Sequence, residues 1–171
     1  VTLVMIAAKN GRGNLGKIIV TGASGPFGSA AARLLLEKVP AEDLVLLSRT
    51  PDRLAEFAEQ GAQVRHADFD DPASLPTAME GGEKMLLIST TRVGSRVEQH
   101  TAAVEAAVAN GVKHVAYTSI LGSGAPNNPS VEQFDHLATE QMIEKSGLAW
   151  THLRNSLYAE AVATAMAIPA L

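Results

Sequence analysis

The chain has 171 residues, 46% of them hydrophobic, with a formal net charge of −4 and no cysteine. That length and hydrophobic content suit one domain with a single core and exclude a disordered chain. The small charge, with no block of Lys or Arg, gives a nucleic-acid or anionic-membrane partner no electrostatic support. Without cysteine, disulfides, thiolate metal sites and thiol catalysis are excluded, which fits a reducing, cytoplasmic compartment.

Residues 1–16 stand apart. The apolar run 3–8 is too short to cross a bilayer and has no basic residue before it, against a signal peptide. It reads as an extra edge strand, an upstream-start artefact or an appended remnant. The Gly/Asn-rich stretch 10–16 reads as a linker into a domain at 17–171.

The run at 17–21 predicts a first strand, and 27–39 predicts a helix. Between them lies TGASGPFG, the place where a dinucleotide fingerprint carries meaning. Gly22 allows a tight turn, Gly25 lets the backbone approach a pyrophosphate, and Gly28 lets helix and strand pack. The phosphates would then meet free N–H groups and the positive end of the helix dipole. The spacing is G-x-x-G-x-x-G, which a plain glycine turn between strand and helix would also satisfy.

A second strand is predicted at 43–48, ending in LLSRTPDR. An NAD site usually carries Asp or Glu there for the ribose 2′-hydroxyl. Ser48 and Arg49 stand there instead, and the planar fork of Arg49 suits a 2′-phosphate, hence NADP(H) over NAD(H). A solvated arginine at a strand end is the other reading. A helix at 52–59 and a strand at 63–67 follow. ADFDD then places Asp68 and Phe69 at the strand's carboxyl end, near an expected adenine, with Asp70 or Asp71 as a helix cap before a helix at 72–79.

Strands at 84–90, 114–119 and 149–154 alternate with helices at 95–110 and 131–146, and an Ala-rich helix is expected at 158–166. Runs such as LVLL and MLLI are continuously apolar, as in strands covered on both faces. Six such strands with short connections predict an α/β fold with a doubly wound parallel sheet, the Rossmann arrangement. Ser89, Thr90 and Thr91 end the fourth strand beside the cleft; Asn155 and Tyr158 follow the sixth. Trp150 is expected in the core, and Arg92 and Arg96 in solvent. The five histidines lack paired ligand spacing on any one helix, so no metal is expected.

TGASGPFG, LSRTPDRL, ADFDD, LLISTT, YTSIL and LRNSLY, in this order and spacing, resemble the NmrA-like atypical short-chain dehydrogenase/reductases, in particular type-2 NADPH:quinone oxidoreductases. The resemblance covers about residues 17–168. It implies cofactor contacts at Gly22, Ala23, Ser24, Gly25, Pro26 and Phe27, at Arg49, at Ile88, Ser89 and Thr90, and along 153–158 with Asn155, Ser156, Leu157 and Tyr158. Ser119 matches the serine of the usual short-chain dehydrogenases. Their Tyr-x-x-x-Lys pair does not recur: His136 stands at the tyrosine position and Glu140 at the lysine position.

An alcohol dehydrogenase with a tyrosine acid is therefore not expected. Quinone reduction fits, because a quinone takes hydride readily and its phenolate-like product oxygen needs little acid help. His136 is a candidate proton donor or substrate contact, or a packing histidine, and Tyr158 a candidate catalytic or cofactor contact. Relatives of this kind continue for roughly a hundred residues with a substrate lobe. The expectation is an incomplete domain, either truncated or completed by a second subunit as a homo-oligomer. The alternative function is a non-catalytic NADP(H)-binding redox sensor.

Overall fold

The computed structural model describes residues 16–156. Six strands, β1 (Lys17–Val20), β2 (Leu44–Ser48), β3 (Gln63–His66), β4 (Gly82–Leu87), β5 (His114–Ile120) and β6 (Ala149–Asn155), form one sheet in the order β3-β2-β1-β4-β5-β6. Every neighbouring pair is parallel. The helices are α1 (Pro26–Leu36), α2 (Ala55–Glu59), α3 (Leu75–Met79), α4 (Arg96–Ala109) and α5 (Glu132–Lys145). This is the doubly wound Rossmann arrangement expected from the sequence.

The alternation along each strand divides the core in two. Ile18, Val20, Leu44, Leu46 and Leu86 pack with Ala31, Ala32 and Leu35 of α1 and Phe57 of α2. Ile19, Val45, Leu47, Met85, Leu87, Val115 and Tyr117 pack with α3, α4 and α5 on the other face. Both faces are covered, which is why these strands are apolar throughout. The strand order reverses between β1 and β4, and the crevice outside the carboxyl ends at such a switch point is the usual ligand position in these sheets.

Several predicted bounds shift for local reasons. The helices expected at 52–59 and 72–79 each begin as a 3₁₀ turn, Pro51–Leu54 and Pro72–Ser74, before the α-helical turns. The fourth strand ends at Leu87 rather than Thr90, since side chains take the next three amides: Thr21 Oγ1 that of Ile88 (2.9 Å), Thr118 Oγ1 that of Ser89 (2.8 Å), His100 Nε2 that of Thr90 (3.2 Å). Trp150 is not in the core. It lies on β6, the outermost strand of the described sheet, 47% exposed, stacked on His152 with ring centroids 4.4 Å apart. Among the described residues no helix is long and apolar enough to cross a membrane.

Candidate active site

The loop between β1 and α1 is made by its glycines. Gly22 has φ +59°, a left-handed turn conformation that a side chain would strain. Gly25 is the extended N-cap of α1, and a Cβ there would meet only the Gly22 carbonyl oxygen, at 3.3 Å. At Gly28 a Cβ would collide with the Gly22 carbonyl and stand 2.7 Å from the Ala23 Cα, so the helix rests on the turn through this residue. Ala23 N–H donates to the Leu47 carbonyl (3.0 Å), fixing the loop over β2. The first turn of α1 carries no acidic residue, leaving the positive end of its dipole unopposed. The loop is thus an open cradle at the amino end of α1, without side chains to fill it, the kind of place where helix N-termini take anions.

Ser48 joins this cradle to the end of β2. Its hydroxyl donates to Ser24 Oγ (2.8 Å) and accepts from the Thr50 amide (2.9 Å). Arg49 lies beside them, exposed, with no ion pair to a described residue. A guanidinium in that place is available to a phosphate.

The β3 end is more self-contained than expected. Asp68 Oδ1 accepts the Asp70 amide (3.0 Å), and Phe69 packs edge-on to His100 with centroids 6.5 Å apart. Asp71 holds the N-cap position before Pro72, as expected, though its side chain makes no cap bond, and Asp70 instead reaches across to Arg92 Nη1 (2.6 Å) and Gln99 Nε2 (2.7 Å). Arg92 is exposed, as expected, but Arg96 is 4% exposed. Its Nε donates to the Thr90 carbonyl (2.8 Å), and Nη1 lies 3.6 Å from Asp135 of α5. A nearby carboxylate and a carbonyl make that burial tolerable.

Toward the β5 side, α4 and α5 enclose a polar network with that strand. His100 Nε2 accepts from Thr90 N–H, so its proton lies on Nδ1 and is given to Thr139 Oγ1 (3.0 Å), which donates to the Asp135 carbonyl (2.8 Å). Burial, reinforced by Arg96 and His136, drives the His100 pKa down to about 3. The Tyr117 hydroxyl lies 2.7 Å from His136 Nδ1. His136 is brought down to about 4, by burial first and by Arg96 second, while burial raises Tyr117 well above the usual phenol range. All three groups are neutral at pH 7.

Ser119 and Glu140 also meet, but not as a dehydrogenase pair. Glu140 is 1% exposed; it accepts the Ser119 hydroxyl (2.6 Å) and two bonds from Arg154, at 3.0 and 2.7 Å. Burial opposes its ionisation, yet the Arg154 and Ser119 bonds outweigh this and hold it below the ordinary carboxylate range. Since a carboxylate only accepts, Ser119 spends its proton on Glu140. At the end of β6, the Asn155 carbonyl accepts Leu121 N–H (2.7 Å) and Ser156 is exposed. Leu157, Tyr158 and the helix expected at 158–166 lie outside the described residues. Among the described residues no group of three or more His, Asp or Glu could hold a metal.

The signal for this network was present as polar residues at core-facing intervals. Arg96 and His100 are four apart on α4, and His136, Thr139 and Glu140 share one face of α5. Tyr117 and Ser119 share one face of β5. Which of them meet depends on helix placement.

The family described as NAD(P)H-binding matches residues 22–167. The chain belongs to that family. It is 43% identical over 143 residues to quinone oxidoreductase 2 of Escherichia coli K12, covering 84% of this chain and 49% of that protein. An NmrA-like family domain-containing oxidoreductase of Aspergillus flavus is 36% identical over 149 residues, covering 84% and 48%. Among solved structures, the E. coli NADPH-dependent quinone oxidoreductase in complex with NADPH superposes with a TM-score of 0.81 at 42% identity, covering 88% of this chain and 53% of that one. The Citrobacter triphenylmethane reductase complexed with NADP(H) gives 0.80 at 36%, covering 85% and 51%. The chain spans about half the length of these relatives.

Proposed function

We propose that the chain is the cofactor-binding part of an NADPH-dependent oxidoreductase that delivers hydride to quinone-like acceptors. The observation that carries this reading is the glycine cradle with the exposed Arg49 beside it, set against a network with no Tyr/Lys acid pair among the described residues. Gly22, Ala23, Ser24, Gly25, Pro26, Phe27 and Gly28 would hold the pyrophosphate, and Arg49 the 2′-phosphate. Ile88, Ser89 and Thr90, with Ser119, Asn155, Ser156, Leu157 and Tyr158, would border the nicotinamide half, and Asp68 and Phe69 the adenine. When bound, the reduced cofactor supplies the hydride; a proton from water completes the two-electron reduction of a quinone to a hydroquinone.

The chain's own part is orientation. Leu121 and Val131, each 65% exposed, and Phe134, 67% exposed, belong to the end of β5, the loop after it and the start of α5. Apolar groups of this kind suit an aromatic ring held for transfer rather than a sugar or a charged acid. Association with a second copy or with further chain would complete that wall, and is part of the same reading.

Steady-state NADPH oxidation with a panel of benzo- and naphthoquinones tests the proposal. Quinone-dependent oxidation, faster with NADPH than with NADH, is the expected result. Tight NADPH binding without turnover would favour the redox-sensor reading. Its support is that Ser119 already spends its proton inside the protein.

A further inference from the structure

Tyr117 has no exposed surface, yet its hydroxyl ends 2.7 Å from His136 Nδ1 rather than in the apolar core. A phenol carries one proton, and the direction of that proton decides what His136 offers. Thr139, the other hydroxyl nearby, gives its proton to the Asp135 carbonyl and takes one from His100, which leaves one lone pair on its oxygen as the competitor of His136 Nδ1 for the Tyr117 proton. If Tyr117 donates to Nδ1, the single proton of the neutral imidazole must lie on Nε2. Nε2 makes no hydrogen bond with a described residue, and His136 sits one turn inside the end of α5 that opens at the carboxyl edge of the sheet.

We infer that Tyr117 is a positioning residue that fixes His136 in the Nε2–H tautomer, so that a neutral imidazole N–H faces the acceptor oxygen that gains charge during reduction. The role of that N–H rests on the function proposed above; the tautomer does not. His136 keeps its proton throughout. Losing it would leave an imidazolate unless Tyr117 passed on its own proton, and buried Tyr117 holds that proton firmly. The second proton of the product therefore comes from water, and His136 contributes one neutral hydrogen bond, on the order of a two- to tenfold effect.

Long-range ¹⁵N–¹H correlation spectra read the tautomer directly, with His136 assigned by the signal lost in His136→Gln. The wild-type protein should show Nε2–H at His136, and Tyr117→Phe, which keeps the ring, should show a mixture of tautomers. An Nδ1–H signature in the wild type would mean that Tyr117 gives its proton to Thr139 instead, and would overturn the inference without any variant. Turnover supplies the second arm. His136→Gln, whose amide N–H reaches the place of Nε2, should reduce a soluble benzoquinone faster than His136→Asn, whose amide reaches only the place of Nδ1. Equal rates, or Asn faster than Gln, would overturn the role of the N–H. A wild type with the Nε2–H signature but no quinone turnover would sustain the tautomer and defeat the proposed function.

Discussion

The two ends of the crevice are built from different materials. On the β1–α1 side the groups that the proposed cofactor would meet belong to the backbone, and the glycines matter for what they lack. On the β5–α5 side the chemistry lies in side chains drawn from three elements: Tyr117 and Ser119 of β5, Arg96 and His100 of α4, and His136, Thr139 and Glu140 of α5. The first side is therefore sensitive to added volume and insensitive to pH. The second tolerates nothing that leaves one member without its partner, and must respond to acid.

The largest effect should come from placing volume in the cradle. Gly25→Val should abolish NADPH binding in calorimetric titration while the circular dichroism spectrum stays native. The new Cβ meets one carbonyl oxygen at 3.3 Å in the protein but occupies the approach to the phosphates. Retained affinity would reduce the loop to an ordinary turn.

Acid should act on the other side. Native His100 and His136 stay neutral down to about 3 and about 4, while in the unfolded chain they protonate near 6.5. Between pH 6.5 and 4 the unfolded state thus binds more protons, and stability falls as pH falls, by about 1.4 kcal/mol per pH unit for each histidine. Glu140, held below its ordinary range, adds a loss in the same direction at still lower pH. Urea unfolding at pH 7, 6 and 5 measures the slope; equal midpoints would mean that the two imidazoles are not buried neutral.

Next in size is Arg49→Ala. Removing one charge-assisted contact to a 2′-phosphate should weaken NADPH by about 1.5–3 kcal/mol, roughly ten- to a hundredfold, and leave NADH unchanged. Equal wild-type affinities for the two cofactors would remove Arg49 from the site. The smallest effect is expected far from both ends. The Arg33–Glu56 ion pair joins α1 and α2 at 2.5 Å with both side chains more than half exposed, so Arg33→Ala should cost only about 0.2–1 kcal/mol in thermal unfolding and leave binding intact.

Periodicity and the turn residues are enough to read the glycine loop and the sheet from the sequence. Continuous apolar runs imply strands buried on both faces, and glycine at 22, 25 and 28 has local consequences that do not depend on distant residues. The failures have equally definite causes. Arg96 reads as a solvated arginine because nothing beside it in the chain reveals Asp135, thirty-nine positions away, which it meets only once α4 and α5 pack together. Trp150 reads as a core residue because aromaticity does not say that its strand is the outermost of the described sheet. Glu140, read as a missing lysine, is a carboxylate that ties Ser119 to Arg154. Backbone conformation and alternation are local properties, carried by a few consecutive residues. The partner of a buried polar group is not local: it is chosen when α4 and α5 settle against β5, and a desolvated hydroxyl, imidazole or carboxylate then keeps whichever neighbour completes its hydrogen bonds.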